Sequence, residues 1–138
     1  SNCGIDDNGI KHINLKMLDS SSNRMITKID HMNELTDLTA SGCCGINDNS
    51  IKHINLETLD ASSNSDITNV NHMNKLKYLN ASYLFGHCGI DDDGIKHINL
   101  ETLNAYNNPT ITDVNHMTKL VGLNASGYKC GISDNGIK

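Results

Sequence analysis

Leu56-Glu57-Thr58-Leu59-Asp60-Ala61-Ser62-Ser63-Asn64 is the stretch that decides the fold. Leu59 and Ala61 are two apart, so in an extended chain both face one side while Thr58 and Asp60 face the other. The frame Leu-x-x-Leu-x-(Ala/Ser) recurs at Leu15/Leu18/Ser20, Leu35/Leu38/Ala40, Leu76/Leu79/Ala81, Leu100/Leu103/Ala105 and Leu120/Leu123/Ala125. Successive first leucines lie 20, 21, 20, 24 and 20 residues apart. One such rung cannot bury its apolar side alone. Stacked rungs can, with their strands forming a parallel sheet.

The rungs alternate between two kinds. After three of the strands an Asn stands at the turn (Asn23, Asn64, Asn108), followed by Ile-Thr-x-(Ile/Val) and His-Met. In the other kind Cys-Gly-Ile takes that place, at Cys3, Cys44, Cys88 and Cys130, spaced 41, 44 and 42 residues apart. An Asp-rich turn and an Ile-Lys-His-Ile segment follow. Asp7, Asp48, Asp92 and Asp134 are placed to cap short helices. Ile10/Ile13, Ile51/Ile54 and Ile95/Ile98 are three apart and belong on one helical face. Ile29/Met32, Val70/Met73 and Val114/Met117 predict the same in a tighter helical or 3₁₀ turn. Each Asn amide is expected to bond to the turning backbone. With Cys in alternate rungs, the Asn ladder is expected to break at every second one.

These residues resemble the leucine-rich-repeat family, whose motif runs Leu-x-x-Leu-x-Leu-x-x-(Asn/Cys) followed by x-x-Ile. The Asn rungs are similar to short internalin-like repeats and the Cys rungs to the cysteine-containing subclass; the likeness covers essentially the whole chain. It implies an α/β solenoid, a right-handed coil with a parallel β-sheet on the concave face and short helical or 3₁₀ segments on the convex face. One departure stands out: the third Leu of the motif is Ala in five rungs and Ser in one, which predicts a thin, tightly wound coil. The resemblance also implies a non-catalytic protein–protein interaction scaffold. Alternatives are the substrate-recognition arm of a ubiquitin-ligase adaptor, as accompanies cysteine-type repeats elsewhere, or a passive spacer in a longer array.

Composition narrows the partners. The 138 residues carry a net charge of −5, and the 11 Lys and Arg are scattered, which disfavours nucleic acid. No stretch approaches the roughly 18 apolar residues of a membrane span. Aromatics are only 4% and hydrophobic residues 37%, which suits a thin core repeated many times better than one large core. Asn occurs 20 times, a bias that A/T-rich codons produce and that suggests a giant-virus or protist genome.

Several patterns invite chemistry and are better read as structure. The repeated cysteines would lie about 10 Å apart at two strand spacings, beyond the roughly 7 Å between Cα atoms that a disulfide allows, and no Cys-x-x-Cys offers a zinc site. Buried free thiols are expected, which favours a reducing, cytoplasmic setting. His12, His31, His53, His72, His97 and His116 form a ladder, one per rung. A position repeated in every rung answers a need of the rung, so the ladder is read as structural rather than as a metal site or pH switch. Asp91-Asp92-Asp93-Gly94 lacks the spacing and distal Glu of a calcium loop. The sequons Asn80-Ala81-Ser82 and Asn124-Ala125-Ser126 fall inside the repeat frame. No nucleophile–base pair and no phosphate-binding Gly loop stands out; no enzyme, metal or cofactor is expected. The longest spacing contains Ser82-Tyr83-Leu84-Phe85-Gly86-His87-Cys88, about three residues longer than its neighbours. An insertion in a solenoid maps to a loop, where Tyr83, Leu84 and Phe85 can anchor a partner; the favoured reading is that Phe85 tucks back over the rung edge.

The working surface is then the outward face of the sheet. Its columns are Met17, Asp37, Thr58, Tyr78, Thr102 and Gly122; Asp19, Thr39, Asp60, Asn80, Asn104 and Asn124; and Ser21, Ser41, Ser62, Ser82, Tyr106 and Ser126. Candidate binding residues are Met17, Asp19, Asp37, Asp60, Tyr78, Asn80, Asn104, Tyr106 and Asn124. Tyr78 and Tyr106 are the foremost anchors, because binding hot spots favour large aromatics. The partner is expected to be a protein. Residues 1–138 read as a single domain of about six rungs. Both ends carry the same Cys-Gly-Ile segment, so the sequence reads as an excerpt of a longer array or as a unit that stacks end to end.

Overall fold

The computed structural model describes residues 4–138; Cys3 lies outside the described residues. Six three-residue strands, β1 (Met17–Asp19), β2 (Asp37–Thr39), β3 (Thr58–Asp60), β4 (Tyr78–Asn80), β5 (Thr102–Asn104) and β6 (Gly122–Asn124), form one sheet in sequential order. All five pairings are parallel. Their register aligns Leu18, Leu38, Leu59, Leu79, Leu103 and Leu123 in a single row. That row is the inward column, and the four inner leucines are buried. The chain is a solenoid, as the 20-residue frame predicts.

Opposite the sheet run three one-turn helices, α1 (Asp7–Ile10), α2 (Asp48–Ile51) and α3 (Asp92–Ile95), all in Cys-type segments. In the Asn-type rungs the same side is made of turns closed by single bonds, such as Met32 N–H to Ile29 O at 2.9 Å and Leu35 N–H to Met32 O at 3.2 Å. The core is one continuous column from Ile10 to Met117. It contains the predicted Ile51/Ile54, Ile95/Ile98, Ile29/Met32, Val70/Met73 and Val114/Met117 pairs, but Ile13 is exposed. Ala40, Ala61, Ala81 and Ala105 are fully buried at the site of the third Leu. Ser20, their counterpart, is also buried and donates its hydroxyl to Thr39 O at 3.2 Å.

The Asp capping expectation is corrected by one residue. The N-caps are Asp6, Asn47 and Asp91. Asp7, Asp48 and Asp92 point instead to the next rung: Asp48 accepts the Thr68 N–H (2.8 Å), the Thr68 hydroxyl (2.6 Å) and the Asn69 N–H (3.2 Å). The reason is geometric. A side chain at the first helical position projects along the stack, whereas the residue before it has the extended backbone that lets its side chain fold back onto the helix N–H groups.

The Asn ladder is bridged rather than broken. The buried Asn64 amide reaches back to the preceding Cys-type segment, donating to Ala40 O (2.8 Å), Ile46 O (3.2 Å) and Cys44 Sγ (3.3 Å). Its carbonyl meanwhile accepts the N–H groups of Asp66 and Ile67. Asn108 repeats this with Ala81 O and Ile90 O. Each Asn thus satisfies two rungs, and among the described residues no buried side-chain N or O lacks a partner. The turn off each strand needs one residue in the left-handed region: Ser22, Ser63 and Asn107 in the Asn type, Gly42, Gly86 and Gly127 in the Cys type.

Candidate binding surface

The pleat sends the flanking residues of each strand outward. Register places Met17, Asp37, Thr58, Tyr78, Thr102 and Gly122 in one column and Asp19, Thr39, Asp60, Asn80, Asn104 and Asn124 in the next. All nine expected binding residues lie on this face or at its rim. Met17 is 71% exposed and, with Asp37, Thr39 and Thr58, lines a shallow hollow of about 240 Å³. The strand carboxylates, Asp19, Asp37 and Asp60, belong to β1–β3, whereas β4–β6 present Asn80, Asn104 and Asn124. The face therefore grades from acidic to neutral along the stack.

The second column has a structural duty that sequence reasoning missed. Asp19, Asp60, Asn80, Asn104 and Asn124 each accept the N–H of the residue two further on, turning the chain off the sheet. One Oδ of each is thereby committed. The Ser21 hydroxyl and then the Ser21 N–H, outweighing a small burial penalty, hold the Asp19 carboxyl below its ordinary value. Asn80 donates its amide to Asp60 Oδ2 at 3.0 Å. Ser62 and Ser82, expected to face outward, are buried because the chain is already leaving the sheet there.

Tyr78 and Tyr106 do not form one pocket. Tyr78 sits in the first column between Thr58 and Thr102. Tyr106 lies beyond the end of β5, where the turn closed on Asn104 has already taken the chain off the sheet. It belongs to the rim, where its carbonyl accepts the Tyr83 N–H at 2.9 Å.

That rim is built by the long spacing. The Ser63 hydroxyl accepts the N–H groups of Leu84 (3.0 Å) and Phe85 (3.1 Å), fixing the loop backbone. Phe85 nevertheless stands 84% exposed, so the expectation that it tucks over the edge is corrected: the Ser63 hydroxyl holds its backbone in a loop with its ring in solvent. Beside it a hollow of about 520 Å³ is lined in part by Arg24, Cys43, Asp66, Phe85 and His87. Lys129 lies 5.5 Å from the Tyr83 ring centre, over its face. The extra length of the rung and the cluster Tyr83, Leu84 and Phe85 pointed to this region in the sequence.

The cysteines of the described residues are all free. Cys44 is buried, Cys88 and Cys130 are half-buried, and Cys43 is exposed, so full burial holds for Cys44 alone. Burial raises the Cys44 thiol above its ordinary value and pushes Cys88 up to about 11, which keeps both protonated at neutral pH. The histidines divide by rung type. His31, His72 and His116 place Nε2 3.2, 3.0 and 3.1 Å from the carbonyls of Ile10, Ile51 and Ile95, at the helix C-termini. His12, His53 and His97 make no ring bond among the described residues. No group of three or more potential metal ligands occurs among the described residues, and no helix is long and apolar enough to cross a membrane.

No protein-family model matches this chain, and no curated protein or solved structure matches it. The reading of function rests on the geometry.

Proposed function

We propose that the chain is a non-catalytic leucine-rich-repeat module that binds a protein partner through the outer face of its sheet, with Tyr78 as the central anchor. The observation that supports this reading is the division of labour within each strand. The central Leu is committed to the core, while two columns of side chains stand in register on an open surface. Tyr78 is the one large aromatic in those columns, flanked by small Thr residues that leave its ring accessible to a partner. The acidic first half, Asp19, Asp37 and Asp60, favours a partner segment with basic residues near that end.

A second reading places the contact at the rim, favoured by the exposed Leu84 and Phe85 on a loop whose backbone Ser63 already holds. Affinity isolation from the source cell with wild type, Tyr78→Ala and Phe85→Ala distinguishes the two. The sheet-face reading expects a specific partner to be lost about tenfold or more with Tyr78→Ala and retained with Phe85→Ala. The reverse pattern supports the rim, and retention in both variants overturns both.

A further inference from the structure

The hollow beside the loop of the long spacing lies mid-stack, on the flank where the chain leaves the sheet, and its two ends are unlike. One end is Phe85 and His87, in the turn after β4; the other is Arg24, in the turn after β1. Three strand spacings separate those turns, about 14 Å along the stack. Between them Gly42, Gly45 and Ser65 line the hollow with little side chain.

Each end displays a large group with nothing against it. Phe85 is 84% exposed, although the Ser63 hydroxyl accepts the Leu84 and Phe85 N–H groups and so fixes the backbone that carries the ring. A ring held in water by a fixed backbone loses little conformational freedom when it is covered. Arg24 is the one arginine of the chain and is exposed, and among the described residues its side chain forms no ion pair or hydrogen bond. A guanidinium stacks on an aromatic face. An occupant that satisfies both ends offers a ring to Arg24 and a cation to Phe85, at the same separation and in the reverse order.

A second copy of this chain meets that demand. Turned by a two-fold axis through the middle of the hollow, it sets its turn after β4 against the turn after β1, and its turn after β3 against the turn after β2. We propose that the chain pairs with a second copy through this flank, the Arg24 guanidinium of each copy lying on the Phe85 ring of the other. The contact is isologous and closes at two. The sheet face is unsuited to the same pairing, since Asp19, Asp37 and Asp60 would meet their own copies. A dimer joined at the flank fills the rim loop of the second reading with a second copy and leaves the sheet face open. The contact is small beside that of a permanent dimer, so an affinity roughly in the micromolar to millimolar range is expected.

The test is sedimentation equilibrium of the purified protein up to millimolar concentration. A monomer–dimer equilibrium is expected. Phe85→Ser and Arg24→Glu are each expected to weaken it about tenfold or more; both side chains are exposed, so the fold tolerates the changes. In an equimolar mixture of the two variants, Phe85 of one meets Arg24 of the other, so the mixture is expected to dimerise more tightly than either variant alone. A monomer at every concentration, growth beyond two as end-to-end stacking gives, variants that dimerise like wild type, or a mixture no tighter than its components overturns the proposal. With no other protein present, none of these outcomes bears on the sheet-face reading.

Discussion

Two kinds of junction alternate along this solenoid. From a Cys-type segment to the Asn-type rung after it, side chains do the joining: Asp48 to Thr68 and Asn69, His72 to Ile51 O, Asn64 to Ala40 O and Ile46 O, and Asn55 to Asn74. From an Asn-type rung to the next Cys-type segment, backbones also come together closely, beside side-chain bonds such as Ser50 hydroxyl to Thr27 O and Asn71 amide to Asp93 O. Gly45, Gly89 and Gly131 donate their N–H to the carbonyls of Asn23, Asn64 and Asn108. A Cβ on Gly89 would lie 2.5 Å from Ser65 O and 2.6 Å from Ile67 O. Both junctions use polar side chains, but the second also requires that a side chain be absent at Gly45, Gly89 and Gly131. A sequence that alternates Asn-x-x-Ile-Thr with Cys-Gly-Ile is therefore alternating two solutions to one problem, the satisfaction of buried backbone groups between rungs.

The largest effect is expected from the side-chain junction. Asn64→Ala removes the amide donor to the Ala40 and Ile46 carbonyls and the acceptor of two N–H groups, and should destabilise the fold by about 3–5 kcal/mol, measured by urea unfolding. A loss below about 1 kcal/mol would mean that water or a backbone shift replaces the amide and that the junction does not depend on it.

Next comes the backbone junction. Gly89→Ala should cost about 2–3 kcal/mol through overpacking. Gly4→Ala has nothing within 4 Å of its new Cβ and should be neutral within about 0.5 kcal/mol. Equal costs for the pair would show that backbone entropy, and not close approach, governs these glycines.

The smallest effect is expected from pH. Partial burial opposes ionisation of Asp7, but the Thr27 and Lys28 N–H groups and the Thr27 hydroxyl outweigh it and hold its carboxyl below the ordinary 3.8. Ionised Asp7 thus favours the folded state above that ordinary value, and the contribution fades as pH falls through the lowered native value. Asp7→Asn should lower stability by about 1 kcal/mol at pH 6 and by less near pH 2. Melting curves of the two proteins that stay equally far apart at both pH values would remove charge from the account of this junction.

The solenoid was legible because its causes are local and repeated. Leu59 and Ala61 facing one side, recurring every 20 to 24 residues, leave stacking as the way to bury them. The inter-rung partners were not legible. Asp6 and Asp7 are the same residue type side by side, yet one caps its own helix and the other grips Thr27. Composition does not separate them; only the direction each side chain takes from the backbone does. On the sheet face, the outward columns could be counted off by twos, but the Asx turns that commit Asp60 and Asn104 could not. Nor could the placing of Tyr78 on a strand and Tyr106 past the end of one.

What the sequence alone determined is the period, the alternation of rung types and the identity of the inward column, since those follow from side-chain polarity and the two-residue repeat of a strand. What the tertiary structure decided is which polar residue serves its own turn and which serves the next rung. It also decided that Phe85 stands free while Asn64 is sealed inside. Those outcomes depend on the neighbour about 20 residues away, whose carbonyls and hydroxyls come within bonding distance only after the rungs have stacked.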